Sequence, residues 1–138
     1  MPIRSLAHVC LKTTDLAATA EFYCGALGFT RQFDFTRAGK VVGFYLKAAN
    51  DTFIEVFDAA ETLPVEKQVL NHFCLEVDDL RALRESLAAR GLAPGEVKLG
   101  CDQTPQFWMK DPNGLALEFQ QYTENSAQRT GLAVEVNW

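Results

Sequence analysis

The sequence predicts an α+β fold: two tandem βαβββ modules forming an eight-stranded, incompletely closed barrel-like sheet with helices outside. Three observations predict it. The stretch LAHVCLKTTDL at residues 6–16 returns at residues 70–80 as LNHFCLEVDDL, with Leu, His, Cys, Leu, Asp and Leu at the same internal positions and a shift of 64 residues. An amphipathic stretch follows each copy, and alternating or aromatic-rich runs broken by turn residues follow each of those. A four-stranded sheet with one helix covers only one of its faces, so two such modules have bare faces to bury and a cleft between them to fill.

The elements follow in order. Residues 6–13 and 70–77 alternate as strands. The stretches DLAATAEFYCGALGF from Asp15 and DLRALRESLAARGL from Asp79 read as helices, each with an Asp as N-cap. In the second, Leu80, Leu83 and Leu87 share a face by i, i+3, i+7 spacing while Arg81, Arg84, Glu85 and Arg90 point elsewhere. Gly28 and Gly91 stand where the helices should stop. In the first module Ala38-Gly39 and Asn50-Asp51 read as hairpin turns, and in the second DPNG at residues 111–114 does the same. Aligning Lys47 with Lys110 lays YLKAANDTFIEVF over WMKDPNGLALEF at an offset of 63 and makes Tyr45 the counterpart of Trp108. Residues 1–138 therefore read as one domain: module 1 at 3–58, a polar linker at 59–69 carrying Pro64, module 2 at 70–122, and a C-terminal tail at 123–138. The tail reads as an exposed loop ending in a short strand or a docking segment.

Composition narrows the class. Hydrophobic residues make up 48% and charged residues 22% of 138 residues, and no apolar run nears the ~20 residues that span a bilayer. The N-terminus lacks the pattern of a secretory signal, so a cytoplasmic location is the expectation. With a net charge of -5 and scattered basic residues, nucleic acid and membrane surfaces are not expected partners. The four cysteines show no CxxC spacing and are expected to be reduced; those at 10 and 74, two residues after His8 and His72 and so on the same strand face, read as small fillers packed in the sheet or as part of the cleft lining.

The chain has two histidines, His8 and His72, and both occupy the same position of the repeat. Each module's last strand also carries one Glu in an apolar run, Glu55 in TFIEVF and Glu118 in LALEFQ. The His-to-Glu separations are 47 and 46 residues. Strand alternation turns both carboxylates away from their apolar neighbours. A carboxylate facing inward costs several kcal/mol unless it is paired or ligates a metal, and neither run supplies Arg or Lys at strand spacing. One divalent cation held by two imidazoles and two carboxylates meets that need, and mixed N and O donors suit Zn, Ni, Fe, Mn or Co.

The runs LAHVCLKTTDLAATAEFYCGALGF, FIEVF, LNHFCLEVDDL and KDPNGLALEF together resemble the vicinal oxygen chelate superfamily. It includes glyoxalase I, fosfomycin-resistance and bleomycin-binding proteins, extradiol dioxygenases and methylmalonyl-CoA epimerase. The resemblance covers residues 3 to about 122 and implies paired βαβββ modules around a divalent metal, with His8, Glu55, His72 and Glu118 at the four ligand positions. It further implies that two neighbouring substrate oxygens bind the metal and that Glu118, then Glu55, moves the proton through an enediolate. The four-ligand set is closest to glyoxalase I, a lactoylglutathione lyase. Alternatives are an epimerase or isomerase of a hydroxy-ketone or sugar derivative, a ligand-sequestering resistance-type protein and, further off, an extradiol dioxygenase. Gripping glutathione carboxylates needs cations, and Arg4, Arg31, Arg37, Lys40 and Lys98 are the scattered candidates. The expected partners are a small-molecule substrate and a second copy of the chain as a homodimer.

Overall fold

The computed structural model describes residues 4–137. The chain forms two compact units, and the division between Pro64 and Val65 falls inside the polar linker. The first unit contains β1 (His8–Thr13), α1 (Leu16–Ala20), β2 (Thr30–Arg37), β3 (Lys40–Ala49) and β4 (Thr52–Asp58). The second contains β5 (His72–Glu76), α2 (Leu80–Ala89), β6 (Lys98–Leu99), β7 (Pro105–Lys110), β8 (Ala116–Gln120) and a short α3 (Ala127–Thr130). Each sheet is four-stranded and mixed, in the orders β1-β4-β3-β2 and β5-β8-β7-β6, with the first pair parallel and the others antiparallel. The fold is thus α+β, two βαβββ modules in tandem, with no closed barrel among the described residues.

Strand alternation decides which face is core. In the first unit Leu11, Phe44, Leu46, Ile54 and Val56 are buried on one face with Phe22, Tyr23 and Phe29 from the helical segment and its exit. In the second, Phe107, Met109, Leu117 and Phe119 are buried, together with Leu80 and Leu87 of α2. Each such side chain contributes roughly 1.5–3 kcal/mol of burial free energy. Phe107 and Phe119 stack with centroids 4.7 Å apart.

The helix signals read from sequence are present as hydrogen bonds. Asp15 accepts from Ala18 N at 2.9 Å, and Asp79 accepts from Ala82 N at 2.9 Å. The hydroxyl of fully buried Thr13 accepts from Asp15 N at 2.9 Å, which fixes where β1 hands over to α1. Gly28 and Gly91 take left-handed φ values of 74° and 79°, which a side chain would resist. After Ala20 the first helix widens into a π-helical turn, Glu21–Ala26, closed by Leu27 N to Phe22 O at 3.1 Å. The sequence pattern does not separate that turn from α-helix, because both leave Phe22 and Tyr23 on the core side.

The C-terminal tail departs from its reading as an exposed loop. Ser126 is fully buried, and its hydroxyl accepts from Thr123 N at 2.9 Å just before α3 begins. Ala127 N donates to Asp102 O at 2.9 Å, so the segment is docked on the loop before β7. Beyond Gly131 residues 132–137 contain no strand.

Candidate metal centre

The alternation that buries Ile54, Val56, Leu117 and Phe119 puts Glu55 and Glu118 on the opposite faces of their sheets. The register places the rest of each half-site. Cys10, Glu55 and Tyr45 lie side by side across β1, β4 and β3, and Cys74, Glu118 and Trp108 lie side by side across β5, β8 and β7. His8 and His72 stand two residues before the cysteines on the same faces. Their Nε2 atoms lie 3.8 Å from Glu55 Oε2 and 3.6 Å from Glu118 Oε2.

Both histidines are oriented through the other ring nitrogen. His8 Nδ1 is 3.2 Å from the Tyr45 hydroxyl. His72 Nδ1 is 2.8 Å from Asn71 Oδ1; a carbonyl oxygen only accepts, so Nδ1 carries the hydrogen and, in the neutral ring, Nε2 presents a lone pair toward Glu118. Such an outer partner is what fixes a metal-ligating imidazole. Trp108 packs edge-on against His72 at 4.7 Å, and Tyr45 packs edge-on against His8 at 5.7 Å.

The two pairs sit in different surroundings. Phe53, Tyr45 and Phe33 form a stack beside His8, with centroids 5.1 and 4.8 Å apart. Beside Glu118 the surface is polar instead: Gln120 Nε2 donates to Glu118 Oε1 at 3.1 Å. Partial burial pushes the Glu118 carboxyl above its ordinary value and Asp102 adds to this, while His72, Gln120 and Cys74 pull the other way. The Cys74 thiol is pushed up to about 12, first by loss of solvent around the sulfur and then by the charge and hydrogen bond of Glu118, with Asp102 and Glu76 adding.

This corrects the reading of Cys10 and Cys74 as packed fillers. Both are exposed, on the face with the histidines, because each unit's own helix covers only the opposite face. All four cysteines are free thiols. Tyr45 is half-buried and Trp108 is 37% exposed, so neither belongs to a core. Arg31, one of the scattered cations, is engaged by Asp34 at 2.5 Å and lies over the Phe44 ring.

Each His–Glu pair has the donor types and spacing for a shared cation, since 3.6–3.8 Å is less than twice a metal–ligand bond of about 2.0–2.2 Å. The structure brings His8 to Glu55 and His72 to Glu118. Among the described residues no group of three or more His, Cys, Asp or Glu side chains gathers to hold a metal ion. Residues that sequence reading missed are Asn71, Gln120 and Asp102. Gln120 left a signal, because it stands two residues after Glu118 on the same strand face; the other two left none.

Residues 5–119 match the family model of the Glyoxalase/Bleomycin resistance protein/Dioxygenase superfamily. The chain belongs to that superfamily. Its members commonly use a divalent metal ion and bind small molecules, and the superfamily includes lyases as well as non-enzymatic binding proteins. The chain is 27% identical over 124 residues to the uncharacterized protein YaeR of Escherichia coli (strain K12), covering 84% of this chain and 95% of that one. Among solved structures, the antibiotic binding protein TnmS3 from Streptomyces sp. CB03234 superposes with a TM-score of 0.73 at 22% identity, covering 89% of this chain and 99% of that one. The lactoylglutathione lyase from Agrobacterium tumefaciens superposes with a TM-score of 0.66 at 17% identity, covering 88% and 96%. At those identities the two structures establish the superfamily fold. Among the described residues no helix is long and apolar enough to cross a membrane.

Proposed function

We propose that this superfamily member is a divalent-metal-dependent enzyme that binds two neighbouring oxygens of a small substrate and transfers a proton through an enediolate, as a glyoxalase I-like lyase. His8, Glu55, His72 and Glu118 would hold the cation. The observation that carries the reading is the repetition of one His–Glu pair, at 3.8 and 3.6 Å, at equivalent positions of two modules. When bound, the cation supplies Lewis acidity, which lowers the pKa of a C–H next to the bound oxygens.

The chain's own groups do the rest. Glu118 is the proton carrier. Its Oε1 accepts from Gln120 Nε2, and the carboxylate takes the proton from the substrate carbon and returns it to the neighbouring carbon, with no net change in protonation. Glu55 stands on the other pair and serves the opposite side of the substrate. Both pairs come from one chain or from two chains in a homodimer; duplicated modules with like faces support either pairing.

A second reading, a protein that sequesters its ligand without turning it over, is favoured by the aromatic stack of Phe53, Tyr45 and Phe33 beside His8. Solvent-deuterium exchange separates the two. The metal-loaded protein should wash deuterium into the methylglyoxal–glutathione hemithioacetal or into a small hydroxy-ketone, and Glu118→Gln should abolish the exchange while keeping the fold. Tight binding of these compounds with no exchange would favour sequestration.

A further inference from the structure

Four residues behind Glu118 form a hydrogen-bonded chain that ends in the C-terminal segment. Gln120 Nε2 lies within 3.1 Å of Glu118 Oε1, 3.2 Å of Gln106 Oε1 and 3.3 Å of Asp102 Oδ2. An amide nitrogen has two hydrogens, so these three acceptors share them and the side chain is held from all three directions. Asp102 is anchored in turn. Its Oδ2 also accepts from Gln128 Nε2 at 2.7 Å, and its Oδ1 accepts from Thr104 N at 3.2 Å. Gln128, on α3, is itself fixed by the hydroxyl of buried Thr104, which donates to Gln128 Oε1 at 2.9 Å. Glu118 and Gln120 are 9% and 5% exposed, so the bond between them lies where water competes weakly, while the outer Gln128–Asp102 bond is exposed.

The first module has no such arrangement at the matching positions. Register places Phe57 where the second module has Gln120, and Gly43 where it has Gln106. A duplicated structure has thus diverged at one carboxylate.

We infer that Gln120, Asp102 and Gln128 are positioning residues that fix Oε1 of Glu118 so that Oε2 is presented to the cation beside His72, and that α3 is the part of the chain that locks this clamp. The inference rests on the metal reading and concerns this chain's residues alone. It explains why a terminal segment with polar composition is docked rather than loose. It also assigns the two carboxylates unequal parts, since Glu118 is held by a hydrogen-bonded chain that the matching positions of the first module lack.

The experiment is a Co(II) titration of the full-length protein, followed by the visible absorption of the bound ion, which reports ligand geometry independently of turnover. Gln128 is exposed, so Gln128→Ala should fold. It should weaken Co(II) binding by about 10-fold and alter the visible bands, as loss of an outer partner commonly costs about 10- to 100-fold in metal affinity. Gln120→Leu, which removes the link to Glu118 itself, should cost more. Arg129→Ala, on the same helix but directed at Glu76, should bind as the wild type does. Wild-type affinity and spectrum in folded Gln128→Ala and Gln120→Leu overturn the inference while leaving the metal reading intact. Equal weakening by Arg129→Ala would reduce the effect to general loosening of α3 and also overturn it. A wild-type protein that takes up no Co(II) defeats the metal reading, and the inference with it.

Discussion

The environment of Cys74 makes a kinetic prediction with a worked size. Its thiol is pushed from an ordinary 9.0 up to about 12. Near neutral pH the thiolate, the reactive form, is then rarer than in an ordinary cysteine by about three orders of magnitude. A thiolate of higher pKa is also a better nucleophile, and a Brønsted coefficient of about 0.4–0.5 returns roughly 20- to 30-fold. The population effect is larger, leaving Cys74 about 30- to 60-fold slower toward a small disulfide reagent than an unstructured cysteine. The assay is timed labelling of metal-free protein, with each cysteine followed by peptide mass. In Glu118→Gln the charge disappears and the thiol faces at most a neutral amide acceptor, so Cys74 should speed up, while loss of solvent around the sulfur keeps it slower than a free thiol. Labelling of Cys74 at the rate of a model peptide, or no acceleration in Glu118→Gln, would refute the placing of thiol and carboxylate side by side.

Three further outcomes test other parts of the structure. Glu118 has a folded-state pKa above its ordinary 4.5, so the native state holds that proton more tightly than the unfolded chain. The stability this contributes is complete below pH 4.5 and is lost as pH rises through the folded value; urea midpoints of metal-free protein should therefore fall relative to Glu118→Gln from pH 4.5 toward neutrality, and parallel profiles would contradict it. A Cβ on Gly43 would lie 2.3 Å from the Val56 carbonyl oxygen and 2.8 Å from the Phe57 ring. Because one obstacle is backbone, Gly43→Ala should cost in the upper part of about 1–3 kcal/mol by urea unfolding, whereas loss of the N-cap in Asp79→Ala should cost about 1 kcal/mol.

Local physical rules account for what was readable in the sequence. Alternation fixed the faces of Ile54, Glu55 and Val56 and of Leu117, Glu118 and Phe119, because a strand has no other way to dispose its side chains. Asp15, Asp79, Gly28 and Gly91 were readable because caps and stops act within one helical turn. The repeat itself predicted that Tyr45 and Trp108 would take equivalent places, and both stand beside the Glu of their module. The clamp behind Glu118 was not readable. Asp102 and Gln128 are 26 residues apart, and their bond depends on a loop and a terminal turn that carry no periodic pattern. The filler reading of Cys10 and Cys74 fails for a related reason. An apolar run suggests burial, but only one face of each sheet lies under its own helix, and Cys10 and Cys74 occupy the other.

The proposal that both pairs serve one cation is tested most directly by metal stoichiometry across two variants. Protein purified with Ni, Zn, Mn, Co or Fe available should carry one divalent ion for each set of His8, Glu55, His72 and Glu118. His8→Ala and His72→Ala should each lose most of it, though the two histidines lie in separate units. Loss in one variant only would contradict a shared centre, and wild-type protein that binds none of these metals would contradict the claim altogether.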